Sequence, residues 1–157
     1  MIRLNKPSTW NDSMLVTAGQ IFIQLKKDGQ ILQLAPNVRI NIRYIDLPIN
    51  TQMKFFIGEE ANTQRFNWLP TPTPSLDTII MGSQSYELYT KQQRWISIAT
   101  LFDVNFTTPK IKVSADIAPY FTNANTVAFT VFKDVRSVVA MLPDLSSRTC
   151  TTGKLLL

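Results

Sequence analysis

The sequence predicts an all-β fold of antiparallel strands packed as a sandwich. Two observations carry that prediction. Short segments alternating apolar with polar residues recur along the 157 residues, bounded by Gly, Pro, Asn and Asp. No stretch carries a long, capped apolar stripe of helical period; "PSLDTIIMGSQS", residues 74–85, has room for one helical turn. Strands without helices between them argue for antiparallel pairing, because parallel strands need long crossovers.

The first segment is the clearest. In "GQIFIQLKKDGQILQLAP", Ile21, Ile23 and Leu25 alternate along one strand. Asp28–Gly29 suits a type I′ turn, which needs positive φ at both central residues. A two-residue loop there pairs Lys27 with Gln30, Leu25 with Leu32 and Ile23 with Leu34, so turn and register agree in placing apolar residues on one face. In "NVRINIRYI", Val38, Ile40, Ile42 and Tyr44 share a face opposite Arg39, Asn41 and Arg43, the pattern of a half-buried strand. "MKFFIGE" and "RFNWL" form a pair around "EEANTQ".

Later, "SYELYT" and "QRWISIATLFD" are strands. The second is apolar on both faces, with Ile96, Ile98 and Phe102 on one and Trp95, Ala99 and Leu101 on the other, as a central covered strand would be. "KIKVSAD" is a short strand, and "TVAFTVFK" and "RSVVAML" are joined at Asp134–Val135.

Between these halves lies "FNWLPTPTPSLDT", with Pro70, Pro72 and Pro74 at alternate positions. Spaced prolines favour a semi-rigid extended segment. The expected organisation is therefore two β-sandwich modules, 1–70 and 76–157, held by a stiff join at 71–75. The second ends on the apolar "KLLL", which suggests a chain cut in mid-strand. One continuous sandwich is the alternative, and core contacts shared across the prolines would distinguish it.

Composition narrows the chemistry. Charged residues are 17%, too few for a disordered tail or a coiled coil. The net charge is +5, but only Lys26–Lys27 forms an adjacent basic pair, and Asp28 follows it. Nucleic-acid binders concentrate their cations on one face, so no nucleic-acid partner is expected. The sequence has no histidine, which removes Ser–His–Asp and Cys–His arrangements and histidine-based zinc sites. The single Cys150 allows no internal disulfide. No segment approaches the ~20 apolar residues of a membrane helix.

Candidate sites are few. Glu59–Glu60 is the only acidic doublet, but strand neighbours point to opposite faces and are poorly placed to share a substrate. Asp12, Asp28, Asp46, Asp77, Asp103, Asp134 and Asp144 fall at turns, where Asp bonds its local backbone. None has calcium-loop spacing, so no metal or cofactor is expected. Trp10, Trp68 and Trp95 fit the edges of a sandwich core. The ligand-binding alternative, for which Trp68, Trp95, Tyr86 and Tyr89 are the candidates, needs at least two rings among these and Trp10 exposed together on one face. The sequons at Asn11 and Asn105 carry little weight in a chain rich in Asn, Ser and Thr.

Three stretches carry a resemblance: "DSMLVTAGQIFIQLKKDGQILQLAPNVRINIRY", "MKFFIGEEANTQRFNWLPTP" and "NTVAFTVFKDVRSVVAML". Their order resembles a β-rich region of large surface lipoproteins and adhesin-like proteins of the Gram-negative cell envelope. The first two are also reminiscent of ZU5-type β-sandwich modules. The resemblance implies an immunoglobulin-like or ZU5-like architecture and an extracytoplasmic place, in the periplasm or at the cell surface, as a fragment of a longer parent. It transfers no catalytic or ligand residue, and this chain lacks a lipobox cysteine.

The functional expectation is a non-enzymatic structural or interaction module of a larger envelope or surface protein. Its partners would be neighbouring domains of the parent, another envelope protein or a glycan, with self-association through open strand edges. The alternatives are a glycan- or peptide-binding module using exposed aromatics, and an enzyme fragment with two carboxylates converging within roughly 5–9.5 Å.

Overall fold

The computed structural model describes residues 6–11, 13–45, 48–60, 66–71, 77–102, 112–114, 118, 120, 126–132, 136–143 and 149–151, with 112–114, 142–143 and 149–151 described by their backbone. In chain order the strands are β1 (Thr9–Trp10), β2 (Ser13–Phe22), β3 (Lys26–Lys27), β4 (Gln30–Ile31), β5 (Ile40–Ile45), β6 (Lys54–Glu60), β7 (Phe66–Pro70), β8 (Thr78–Met81), β9 (Ser85–Thr90) and β10 (Trp95–Leu101). They continue with β11 (Lys112–Ser114), β12 (Phe129–Phe132), β13 (Ser137–Ala140), β14 (Leu142–Pro143) and β15 (Thr149–Thr151). The chain is all-β with antiparallel pairing, of general sandwich or barrel architecture. The stretch given room for a helical turn instead contributes β8, which pairs with β9 from Thr78↔Tyr89 to Met81↔Tyr86.

The chain forms two compact units, Thr17–Thr100 and Met1–Val16 with Leu101–Leu157. This division differs from the expected one at the prolines. The reason is pairing over long sequence distances: β5 pairs with β9 and β6 with β10, each partnership bridging the proline run. Pro70 ends β7, an edge strand, where a missing amide donor is tolerated. Thr71 still belongs to the sheet, donating its N–H to the Phe55 carbonyl at 3.2 Å. Residues 72–75 of the expected join lie outside the described residues.

Within Thr17–Thr100, the strand order β2-β10-β6-β7 forms part of one sheet, and β5-β9-β8 forms another. Their inner faces share one core. Phe55 and Ile57 of β6 and Ile96 and Ile98 of β10 pack with Tyr86 and Leu88 of β9 and with Met53. Ile42 and Tyr44 of β5 and Ile79 of β8 pack against it. The period-two reading holds from Ile40 onward, since Ile40, Ile42 and Tyr44 are half-buried while Asn41, Arg43 and Ile45 are exposed; Val38, expected on the same face, lies before the strand and is exposed. The double-faced reading of β10 also holds: Ile96 to Ala99 are buried without a break, and β10 lies in the middle of its sheet.

Two glycines make room for aromatic rings. At Gly58, an added Cβ would meet Phe66 Cζ and lie 2.7 Å from Trp95 Cβ. At Gly19, it would fall on the Tyr44 ring. The core packing therefore depends on the absence of side chains at positions whose φ is otherwise ordinary.

The other unit joins early and late segments of the sequence. The Ser8 N–H donates to the Val138 carbonyl at 2.6 Å, and the Leu15 N–H to the Ser8 carbonyl at 2.9 Å. The expected late hairpin is present, with Phe129↔Ala140 through Phe132↔Ser137 in register. Asp134 and Val135 lie outside the described residues; Arg136, next along, has φ 46°. Met14, Leu15, Val139 and Met141 are buried.

Tyr44 supplies a test of core energetics. Its hydroxyl is buried with no hydrogen-bond partner. Burial pushes its pKa from 10.0 to about 12. Because the folded pKa is the higher one, the fold disfavours the phenolate, so stability is unaffected by this group's titration below about pH 10 and falls as pH rises through about 12. Tyr44→Phe removes a hydroxyl that is desolvated without compensation, so at pH 7 it should raise the unfolding free energy by about 1 kcal/mol. In urea unfolding, the advantage of Phe should widen above pH 10; a loss of stability at pH 7 would contradict this account.

Candidate functional site

The four residues of the aromatic alternative do not form one face. Trp68 and Tyr86 are 0% exposed and cannot stack on a ligand. Trp95 and Tyr89 are half-buried. They lie on opposite sides of the sandwich, since Ile96 and Ile98 of β10, and Tyr86 and Leu88 of β9, point inward.

Each aromatic has a structural explanation. The Tyr86 hydroxyl accepts from the Asn50 N–H at 2.6 Å and donates to the Asn50 carbonyl at 3.3 Å, pinning the loop before β6. The Asn50 side chain caps the same loop by accepting from the Gln52 N–H at 2.8 Å. Trp95 packs between Phe22, at 5.4 Å between ring centroids, and Phe66, at 6.2 Å. Phe66 meets Trp68 edge-on at 5.0 Å. This aromatic row crosses β6 over Gly58, the position that register places beside Trp68. Tyr89 donates to Glu87 Oε2 at 3.1 Å, and that bond is the first cause raising its pKa.

The carboxylates are likewise dispersed. Glu59 pairs with Arg94 at 3.6 Å, both groups well exposed, which contributes little to stability. Asp77, expected at a turn, lies at a bend and is buried beside the end of β9. It accepts from the Thr90 hydroxyl at 2.5 Å and from the Gln92 amide at 3.3 Å. Among the described residues, no three or more Cys, Asp or Glu gather where they could hold a metal ion. Asn105 and Phe106 of the second sequon lie outside the described residues. The Cys150 backbone pairs with Val113 in a β11–β15 ladder.

What the structure does assemble is an arm. Asp28 and Gly29 have φ of 51° and 80°, giving the expected type I′ turn, and Lys27 pairs with Gln30 and Lys26 with Ile31. The expected burial of its apolar face is found only at the base, where Ile23 packs against the core and Leu34 is half-buried. Residues 25–33 are all exposed, including Leu25 at 40%, Ile31 at 52% and Leu32 at 42%. Among the described residues β3 and β4 pair only with each other, and Leu25 and Leu32 beside them are exposed.

The base of the arm is held by one side chain. The Leu32 N–H donates to the Leu25 carbonyl at 2.9 Å. The reciprocal ladder bond is replaced by the Gln93 carboxamide. Its Oε1 accepts from the Leu25 N–H at 2.9 Å, and its Nε2 donates to the Leu32 carbonyl at 2.7 Å. The amide thus substitutes for a peptide group between the two strands. Beside it, the Ile23 N–H donates to the Arg94 carbonyl at 3.2 Å, and Lys91 Nζ donates to the Pro36 carbonyl. Sequence reasoning placed the turn but not this anchor, because Gln93 lies 68 and 61 residues from the groups it joins.

No protein-family model, curated protein or solved structure matches the chain.

Gln93→Ala removes both anchoring bonds while leaving Leu25 and Leu32 free to bond water. The cost to global stability should therefore be small, about 1 kcal/mol. Limited proteolysis within residues 25–33 should accelerate several-fold relative to cleavage elsewhere. An unchanged cleavage rate in the arm would show that Gln93 does not hold it.

Proposed function

We propose that the chain is a non-enzymatic structural and interaction module of a larger surface or cell-envelope protein. Its scaffold is a β-sandwich of immunoglobulin-like or ZU5-like type, and the arm of residues 23–34 is its contact element. The observation that carries this reading is the exposure of Leu25, Ile31 and Leu32 on a ribbon that the fold nevertheless anchors at its base. An isolated two-stranded hairpin is marginally stable in water. Holding one in position while leaving its apolar side chains outside the core favours a role in contact with something else. The extracytoplasmic placement rests on the sequence resemblance. The aromatic-platform alternative has no support from Trp68 and Tyr86, which are enclosed.

Site-specific incorporation of a photo-crosslinking amino acid at position 31, in the parent protein in its native cell, tests the reading. A discrete adduct should form there and not at position 45, whose isoleucine is 78% exposed on the outer face of the β5-β9-β8 sheet. Equal labelling at both positions, or no adduct at position 31, would overturn it.

A further inference from the structure

We infer that the arm binds an extended, acidic segment of another protein, which adds as a third strand along the open edge of β4; this rests on the arm being the contact element. The two edges of the ribbon differ. β3 is Lys26–Lys27, and edge lysines discourage strand addition. β4 and the residues after it, Gln30, Ile31, Leu32 and Gln33, are uncharged and free of proline. In a two-residue hairpin the pair beside the turn exchanges the ladder bonds, so the backbone groups of Ile31 point outward. Main-chain pairing at such an edge supplies affinity, and alternate side chains supply specificity.

The charge on the arm selects the occupant. Residues 21–40 carry Lys26, Lys27 and Arg39 against Asp28 alone, a net +2. Acidic side chains on an added strand would lie about two strand spacings, roughly 9.5 Å, from β3. The lysines opposite Gln30 and Ile31 can reach across that distance together with an extended glutamate. Other occupants fit less well. A second copy would bring the same net positive arm to itself. A bilayer would meet the lysines and Asp28 at the tip before the leucines behind them. A nucleic acid would find no aromatic ring between residues 23 and 39 on which to stack a base.

The test is amide-resonance mapping on the whole 157-residue chain. The probe is a short synthetic peptide alternating glutamate with valine or leucine, with its lysine-for-glutamate counterpart as control. The glutamate peptide should shift the amides of residues 26–33 and the lysine peptide should not. Lys26→Glu with Lys27→Glu, both at exposed positions, should weaken binding by about tenfold or more without altering the melting temperature. Absence of binding, or equal binding of both peptides, overturns the inference. Binding of phosphatidylglycerol vesicles or a single-stranded oligonucleotide through the arm, without the glutamate peptide, also overturns it while leaving the arm as the contact element. So does concentration-dependent self-association through the arm. Shifts confined to the outer face of β5-β9-β8 would overturn both this inference and the function proposed above.

Discussion

The structure of residues 17–100 depends on the packing of β6 and β10 against β9. Phe55, Ile57, Ile96 and Ile98 on one sheet meet Tyr86 and Leu88 on the other. Burying a side chain of this size contributes about 1.5–3 kcal/mol relative to exposure, and these residues form one contiguous cluster. β10 is what allows the arrangement. It is buried on both faces, so it serves the shared core through Ile96 and Ile98 and the aromatic row through Trp95. Gly58 then lets that row cross the neighbouring strand without a steric gap or clash.

The same scaffold determines how the arm is presented. The turn leading into β10 carries Gln93 and Arg94, and both bond the segment that leaves β2. The arm is thus positioned by groups on the approach to β10, although none of its exposed apolar side chains contributes to the core. On the function proposed, anchoring at the base would reduce the ordering cost of binding, and exposure would keep the edge of β4 accessible. The Asp77–Thr90–Gln92 bonds stabilise the adjoining end of β9, so a buried carboxylate serves structure there.

How much of this was legible in the sequence follows from the range of each interaction. The Asp28–Gly29 turn is local, and both its conformation and its register could be read directly. The alternation of β5 and the double-faced character of β10 are also written in neighbouring residues. The burial of Trp68 agrees with the reading of the tryptophans as core residues, whereas that of Tyr86 was not legible, because a strand's alternation does not say which sheet will cover each face. The prolines suggested a domain boundary because they interrupt the local pattern. Pairings such as β5 with β9, and Ser8 with Val138, are decided by contacts that local patterning does not record. Gln93 was hidden for the same reason, and glutamine has no characteristic motif when it acts as a peptide surrogate.

Amide hydrogen exchange, resolved residue by residue, tests the central claim that a solvent-facing arm is anchored at its base to a rigid sandwich. The account predicts the slowest exchange in β6, β9 and β10. Leu25 and Leu32 should be protected by the bonds to Gln93 and across the ladder, while Ile31 exchanges rapidly at the open edge. Uniformly rapid exchange through residues 23–34 would contradict the anchored arm, and strong protection of Ile31 in the isolated chain would contradict the open edge.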